Sequence, residues 1–564
     1  MRRILMKAIA LVATNLTQTP LGLRSKLTYE LGGLSVLQHT LARLSRCGTI
    51  KEIVLVHPAG QDPLALTGDN INGMPIAAFP YDAALDGDPH HTMRMAARRW
   101  SPSSWRGGLG ATTCYDELLP ANRLSLAAKH HGAQAVLLVG GDWMLVDPVL
   151  CDEVMARHLE FPDAMKMVFT QAPPGLAGIA MNVELLASLA ENAAGLGQML
   201  GYVPSRPQAD PIGLDVCVQV LPQVRSSPCR FIFDTPRSVA MIKRVADQSR
   251  DLNSLDAQVT AERGTKAWRA IEREMLPREV TIELTPRREL HGRLTPQHYI
   301  AFDRSPMELP LARRLLEQIG DAGDVTVTLG GVGDALLHPQ WETIVQAAHD
   351  AGAFSVHVET DLLVDEALLA RLYDLPIDIV SVRLNADTAA MYERTMGSDR
   401  FSQVVQNLQW MLNERQQRLL GGDEPRPRAA LPWIVPRLTK TDETLTDMET
   451  FFDRWMHFAG HALIEPARSG RGYHRDLSPA MSPVAMAPPK RVACRQLERR
   501  MTILADGRVA LCDQDWLGDG AAGDASVTPL RDIWQAMNET RTAHDSGRWS
   551  QLALCGGCQE WHRP

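Results

Sequence analysis

In the second half of the chain, short apolar runs alternate with amphipathic helical patterns, which predicts repeated strand-then-helix units. Short apolar runs, rich in β-branched residues, occur at residues 281–284, 325–329, 354–359, 379–384, 431–437 and 461–465. Mostly amphipathic helical patterns lie between them, as at residues 339–351. Six such units predict a parallel βα sheet with a site at the carboxyl ends of its strands. The second run ends in a glycine-rich turn that contains Gly330, Gly331 and Asp334, where the backbone can approach a ligand closely.

The first half of the chain has the same alternation. Residues 8–13, 52–56 and 135–139 are apolar runs typical of buried strands, and residues 33–44 place leucines on one helical face. Residues 247–276 read as a polar helical connector, and residues 467–492 have the Pro, Ser, Gly and Arg content of a linker. We therefore predict an α/β protein with segments 1–245, 246–278, 279–466, 467–492 and 493–564, the first of them Rossmann-like.

Composition narrows the class of protein. The chain has 564 residues, of which 45% are hydrophobic and 22% charged, as in soluble globular proteins. Its net charge of −8 gives no reason to expect nucleic acid as a partner, and no apolar run has the roughly 18 residues that a membrane span needs. Five of the nine cysteines are scattered singly, which favours reduced thiols and the cytoplasm.

The other four cysteines form the strongest metal signal. Cys494 and Cys512 flank a predicted hairpin that turns at residues 506–507, and Cys555 and Cys558 form a CxxC motif after a predicted helix. Four thiolates suffice for one 4Fe–4S cluster or one Zn²⁺ ion, and the spacing leaves both open. The order of these cysteines resembles the SPASM domain, whose full form has seven cysteines and two clusters. The resemblance implies one auxiliary 4Fe–4S cluster here.

The segment from residue 279 to residue 466 resembles the barrel of radical-SAM proteins, which implies a partial, TIM-like barrel of about six βα units. The resemblance rests on the first strand, the Gly-Gly turn, and the motifs at residues 359–361, 381–385, 392 and 397. In that family, the loop after the first strand carries three cysteines in a CxxxCxxC motif. In this chain Arg288, Gly292 and Thr295 occupy those places. None of them can replace a thiolate, so we expect no cluster that cleaves SAM.

The first 230 or so residues resemble the nucleotidyltransferases that make sugar nucleotides. Lys26 resembles the lysine of their first βα unit, Asp142 the Mg²⁺-binding aspartate, and Asp234 their second acidic residue. The phosphate loop of the family is glycine-rich, whereas residues 14–24 have a single glycine, with Arg24 in place of the family's arginine. An aspartate after a strand can also cap a helix. Mg²⁺-dependent catalysis and a helix cap both remain open for Asp142.

These patterns lead to two hypotheses. The first is Mg²⁺-dependent nucleotidyl transfer to a phosphorylated sugar or a similar small acceptor, by Lys26, Asp142 and Asp234. The second is a non-enzymatic iron–sulfur binding or scaffold protein whose two upstream domains are inactive. An anionic small molecule, such as a nucleotide or sugar phosphate, is the expected partner.

The loop after the first strand of the barrel-like segment carries Arg287, Arg288, His291 and Arg293, beside the Gly-Gly turn. It either pairs with nearby carboxylates or binds an anion where the cluster would be. Gly330, Gly331 and Asp334 could still hold SAM weakly.

Overall fold

The computed structural model describes residues 6–83, 88–203, 206–420, 430–468, 470, 488–558 and 560–562. They divide into two compact units, one of residues 6–271 and one of the described residues from 272 onward. Most of the predicted linker at residues 467–492 lies outside the described residues, and the five-segment division stays a prediction. No helix in the described ranges is long and apolar enough to cross a membrane.

The first unit is built on a mixed sheet. The sheet contains β1 (Ala8–Ala13), β4 (Ile53–Pro58), β5 (Asn70–Ile71), β6 (Met74–Tyr81), β7 (Ala135–Gly140), β8 (Met167–Thr170), β9 (Ile179–Asn182) and β10 (Cys217–Val218), and a separate hairpin contains β2 (Glu30–Leu31) and β3 (Leu34–Ser35). The sheet order is β10-β8-β9-β7-β1-β4-β6-β5, and β7, β1, β4 and β6 run parallel. The central strands are apolar on both faces because helices cover both sides, which confirms the predicted α/β class.

The helices of this unit follow the strands. They are α1 (Val36–Leu44), α2 (Leu64–Thr67), α3 (His91–Trp100), α4 (Ala121–His130), α5 (Pro148–Glu160), α6 (Val183–Glu191), α7 (Gly197–Leu200), α8 (Pro222–Arg225), α9 (Pro236–Asp247) and α10 (Ala257–Glu274). The helix predicted at residues 33–44 begins later, at Val36. Gly32 and Gly33 have positive φ and turn the β2–β3 hairpin, and Ser35 then caps α1 through a capping box with Gln38.

The second unit contains a sheet whose first six strands follow chain order. They are β11 (Glu279–Ile282), β12 (Thr326–Leu329), β13 (Ser355–Thr360), β14 (Ile379–Arg383), β15 (Trp433–Lys440) and β16 (Leu463–Pro466). Each pairs in parallel with the next, so the six predicted strands and their parallel order are confirmed. The helices are α11 (Leu309–Ala322), α12 (Trp341–Asp350), α13 (Glu366–Asp374), α14 (Ala389–Met396), α15 (Phe401–Leu420) and α16 (Leu445–Phe458). Closure into a partial barrel stays a prediction.

The C-terminal hairpin joins this same sheet. Its strands are β17 (Arg500–Ile503), β18 (Arg508–Ala510) and β19 (Gly523–Asp524), and the helices around them are α17 (Gln496–Arg499), α18 (Leu530–Ala536) and α19 (Asn538–Asp545). The hairpin is as predicted, with Gly507 at φ +90° in its turn. The sequence does not predict that β17 pairs in parallel with β11. Val280, Met501 and Ile503 consequently share one hydrophobic core with β12 and β13.

Candidate functional sites

The first unit contains a cavity of about 280 Å³ at the carboxyl ends of its central strands. Ala13 and Gly140, which end β1 and β7, and Val56 near the end of β4 form the strand-end wall, and residues of α3 and α4 form a helical wall. In the sheet, β4 is the neighbour of β1 on one side and β7 is its neighbour on the other, so the strand order reverses at β1. Ligands of open α/β sheets bind at such a switch point, so this cavity is the candidate ligand site.

A network of buried ion pairs lies beside the cavity. Arg98 Nε is 2.9 Å from Glu117 Oε1, and Arg230 Nη2 is 2.6 Å from Glu117 Oε2. Arg230 also donates to Asp234, with 3.0 Å between Nε and Oδ1. These four side chains are at most 3% exposed. Two arginines and two carboxylates balance each other, which offsets much of the cost of burying them.

The structure brings Lys26, Asp142 and Asp234 together. Lys26 Nζ donates to the backbone oxygen of Asp234 at 2.6 Å, and the backbone oxygen of Asp142 accepts from Phe233 N at 2.9 Å. Asp142 lines the cavity, whereas the carboxylate of Asp234 is fully buried against Arg230. Burial and the neighbouring Asp234 raise the pKa of Asp142 to about 7. Asp142 is therefore the acid in a position to meet a cation.

Most backbone amides of residues 14–24 donate to acceptors within the protein. The amides of Thr17 and Gln18 donate to Asn15 Oδ1, and that of Leu16 donates to Gln61 Oε1 at 2.7 Å. Further internal acceptors receive the amides of residues 19, 22, 23 and 25. Arg24 is exposed, and its backbone forms an isolated antiparallel β-bridge with Gln18. Since these amides have acceptors, the loop does not form the backbone cradle that phosphates use in glycine-rich loops.

Sequence reasoning missed several cavity residues. His91 and Arg99 lie on α3, Arg123 lies on α4, and Glu117 lies just before α4. Arginines and histidines on amphipathic helices ordinarily face solvent, so the sequence carries no local signal for their convergence.

In the second unit, Arg288 occupies the first of the three places that cysteines would fill. Its Nε donates to Asp361 Oδ2 at 2.6 Å, and its Nη2 donates to Asp361 Oδ1. Both side chains are 2% exposed. Arg293 pairs with Glu443, while Arg287 and His291 are exposed. Arg288 and Arg293 therefore pair with nearby carboxylates, as one of the two alternatives for this loop predicts. The guanidinium of Arg288, which is central to the anion-binding alternative, is bound to Asp361.

The other two places are filled by close backbone packing. A Cβ at Gly292 would lie 2.1 Å from the carbonyl carbon of Met396 and 2.3 Å from the oxygen of Thr395. Thr295 is fully buried, and its hydroxyl donates to Gly292 O at 2.8 Å. A side chain of any kind at residue 292 would therefore displace the segment after α14.

The glycine-rich turn is held by side chains of the neighbouring strands. Gly331 N donates to Glu359 Oε2 at 3.2 Å, and Gly331 O accepts from Arg383 Nη2 at 2.7 Å. The amide of Gly331 is thus bonded to a carboxylate of the protein. A Cβ at Gly330 would lie 2.5 Å from the same carboxylate.

Asp334 is likewise engaged with protein groups. Its carboxylate accepts from Leu336 N, Thr360 Oγ1 and Asp361 N at 2.8–3.0 Å. Burial and the nearby Asp361 raise its pKa to about 6. SAM binding by Asp334, Gly330 and Gly331 stays a prediction.

Three of the four C-terminal cysteines lie near one another, and each is partly or fully buried and close to a backbone N–H group. Cys494, Cys512 and Cys558 interact electrostatically with one another, and burial raises the pKa of each thiol. Each sulfur also meets the backbone N–H two residues later, from residues 496, 514 and 560, the last at 3.3 Å from Cys558 Sγ. Cys555 is buried.

The chemistry of these donors fits a thiolate-bound metal group, since N–H groups aimed at sulfur stabilise cysteine ligands. Among the described residues, no group of three or more His, Cys, Asp or Glu side chains has an arrangement that could hold a metal ion. The fit therefore rests on the donor set and on the N–H groups, and the ligand assignment stays a prediction.

Residues 494–559 match the family model for SPASM, an iron-sulfur cluster-binding domain. This match covers all four cysteines and confirms the predicted SPASM-type, iron–sulfur-binding region, whereas the number of clusters stays a prediction. An uncharacterised protein of Treponema pallidum (strain Nichols) is 23% identical over 320 residues, which is 54% of this chain and 84% of that protein.

Solved structures resemble parts of the chain. Streptococcus suis SuiB bound to S-adenosylmethionine has a TM-score of 0.38 at 13% identity, over 56% of this chain and 80% of SuiB. BtrN in complex with AdoMet and 2-DOIA has a TM-score of 0.33 at 13% identity, over 50% and 94%. A cytidylyltransferase from Leptospira borgpetersenii has a TM-score of 0.32 at 14% identity, over 47% and 96%. These TM-scores are below 0.5 and support no conclusion about function.

Replacement of Gly292 by alanine should destabilise the chain. The added Cβ meets backbone atoms that cannot move without shifting the end of α14, and overpacking of this kind costs about 1–3 kcal/mol. Denaturant unfolding measures the change. Gly213→Ala is the control, because a Cβ there meets nothing within 4 Å. Equal stability of Gly292→Ala and the wild type would contradict the close packing.

Arg288→Ala should be strongly destabilising, by about 3–5 kcal/mol, because it leaves the buried Asp361 without its partner. Arg287→Ala removes a neighbouring, exposed arginine and should change stability by less than about 0.5 kcal/mol. The double variant R288M/D361L removes both charges and should recover most of the loss. Chemical denaturation of the four proteins tests this, and a stable Arg288→Ala protein would show that the ion pair is not structural.

Proposed function

We propose that the first unit catalyses Mg²⁺-dependent nucleotidyl transfer to a phosphorylated sugar or a similar small acceptor. The position of Asp142 carries the proposal, since its carboxylate lines a cavity at the switch point of the sheet, beside Lys26 and Asp234. The pKa of Asp142 also supports cation binding. The raised pKa of Asp142 means that its negative charge is poorly compensated by the protein, and a divalent cation would compensate it.

The residues of the chain have distinct roles in this proposal. Asp142 holds the cation, and Mg²⁺ supplies charge neutralisation and polarisation of the phosphoryl group under attack. Asp234 acts as a positioning residue, because its carboxylate is bound by Arg230 and its backbone oxygen accepts from Lys26. Lys26 thereby ties the loop after β1 to the segment before α9, and its ammonium adds positive charge near the cavity.

Asp142→Asn should abolish Mg²⁺-dependent binding of nucleoside triphosphates while the fold stays intact. The amide keeps the shape of the side chain but removes the charge that a hard cation requires. Calorimetric titration with a mixture of the four triphosphates at millimolar Mg²⁺ measures binding, and thermal unfolding checks the fold.

The control is Asp215→Asn, which changes an exposed aspartate of the same unit and should bind nucleotides like the wild type. An aspartate that only caps a helix would behave differently. Its loss would cost about 1 kcal/mol of stability and leave nucleotide binding unchanged.

For the second unit, we propose one 4Fe–4S cluster held by Cys494, Cys512, Cys555 and Cys558. The SPASM family match and the N–H groups that meet three of the four sulfurs support it. Reductive cleavage of SAM is not part of the proposal, because Arg288, Gly292 and Thr295 are engaged in protein contacts where the second cluster would need thiolates. Formation of 5′-deoxyadenosine above background with dithionite would overturn that part.

Anaerobically reconstituted protein should contain about four irons per chain, the stoichiometry of one cubane. Cys512→Ala and Cys558→Ala should lose this iron together with its visible absorbance. Cys217→Ala, which removes a buried cysteine of the first unit, should keep both. Iron analysis and optical spectra make the comparison. Stoichiometric zinc without iron after anaerobic reconstitution would replace the cluster by a structural Zn²⁺ site.

The alternative function is an iron–sulfur binding or scaffold protein without catalysis. The internally satisfied amides of residues 16–19 favour it, because they remove the phosphate cradle of the transferases that the first unit resembles. Wild-type protein that binds iron but no triphosphate at millimolar Mg²⁺ would establish this alternative.

A further inference from the structure

The helical wall of the cavity in the first unit carries positive charge that the proposed transfer chemistry does not use. Three arginines and two carboxylates line the cavity. Arg230 and Glu117 are paired with each other, and Asp142 is assigned to the cation. Arg99 and Arg123 are the other two arginines of the lining, and both lie on helices.

Positive side chains are needed here if the ligand is a phosphate. Residues 14–24 correspond to the phosphate loop of the transferases that the first unit resembles, but the amides of residues 14, 16–19, 22 and 23 are bonded within the protein. Guanidinium groups can replace a backbone cradle, because they bind phosphate oxygens through two parallel N–H groups. A Cβ at Gly22, in the same loop, would lie 3.8 Å from Arg99 Nη1. The guanidinium of Arg99 therefore lies next to the loop whose amides are bonded within the protein.

Arg123 is held in a defined orientation. Its Nη1 donates to the hydroxyl of Tyr81 at 2.7 Å, and its Nη2 donates to Leu119 O at 3.0 Å. The guanidinium also lies 4.7 Å from the centroid of the Tyr81 ring. An arginine fixed in this way loses little conformational entropy when it binds a ligand, which makes it a good anchor.

His91 adds an independent observation. It lines the same cavity, and its Nδ1 is buried without a hydrogen-bond partner among the described residues. Burial, with a smaller effect of Arg123, lowers the pKa of His91 to about 4, so the ring is neutral near pH 7. A buried polar atom without a partner is costly, and a bound ligand that hydrogen-bonds to it removes the cost.

We propose that Arg99, Arg123 and His91 form a phosphate-binding subsite on the helical wall of this cavity. The subsite rests on the proposed function, since it would receive a phosphoryl group of one of the two substrates of the transfer. The group belongs either to the triphosphate or to the phosphorylated acceptor, and both share the chemistry that guanidinium groups recognise. Its location differs from the Mg²⁺ site at Asp142, which lies on the strand-end wall.

Titration of the full-length chain with inorganic pyrophosphate in the presence of EDTA tests the subsite without Mg²⁺. Wild type should bind, and Arg99→Gln and Arg123→Gln should each weaken binding about tenfold or more, as expected for a lost charged hydrogen bond. Arg99→Lys should recover part of the affinity, because it keeps the charge but not the bidentate geometry. Arg225→Gln, at an exposed arginine of the same unit, is the matched control.

Thermal unfolding of each variant separates lost binding from lost structure. Arg99 is half-buried, so Arg99→Gln carries the test if Arg123→Gln does not fold. Equal affinity of wild type, Arg99→Gln and Arg123→Gln, or no pyrophosphate binding by wild type, would overturn the subsite. Titration with triphosphates and with a hexose phosphate identifies which substrate loses affinity in the arginine variants.

The two proposals fail in different ways. If wild type binds pyrophosphate through Arg99 and Arg123 but shows no Mg²⁺-dependent triphosphate binding, the subsite stands and nucleotidyl transfer falls. If triphosphates bind with Mg²⁺ through Asp142 and the arginine variants bind pyrophosphate normally, the transfer stands and the subsite falls.

Discussion

Buried guanidinium groups hold carboxylates at the carboxyl ends of parallel strands in both units. In the second unit, Glu359 at the end of β13 accepts from Arg383 on β14 and from Arg437 on β15, and Arg437 also donates to Glu465 on β16 at 2.6 Å. Burial by itself raises the pKa of Glu359, but Arg383 and Arg437 lower it well below its usual value. Removing Glu359 would take away the carboxylate to which both Arg383 and Arg437 donate, at a cost of several kcal/mol.

This pairing decides which acids can bind a ligand. In the first unit, Arg230 binds both Glu117 and Asp234, and Asp142 is the carboxylate that remains on the cavity wall. In the second unit, Arg288 binds Asp361 and the arginines of β14 and β15 bind Glu359. The same edge of a parallel sheet therefore supports an open cavity in one unit and a set of internal ion pairs in the other.

The sequence predicts the elements well, because apolar periodicity is a local property. The strand at Ala8–Ala13 and the six strands from β11 to β16 follow from runs of four to eight residues. The pairing of β17 with β11 joins residues more than 200 positions apart, and no local pattern specifies it. The pairing of Arg288 with Asp361 likewise spans 73 positions. A family resemblance predicts Lys26, Asp142 and Asp234 as site residues, whereas no motif indicates Arg99 or Arg123.

Gly292 shows why the loop after β11 has no room for a cysteine side chain at that position. The residue lies against the backbone of residues 395–397, and the Cβ built at Gly397, whose φ is +72°, would be 3.0 Å from the Cα of Gly292. Two glycines thus let two chain segments touch, and the contact closes the loop onto α14. Any cysteine at residue 292 would first have to separate those segments, and Arg288 would then have to leave Asp361. The loop therefore has the geometry of a packed core, and the four cysteines of this unit lie near the C-terminus, where backbone N–H groups meet three of the sulfurs.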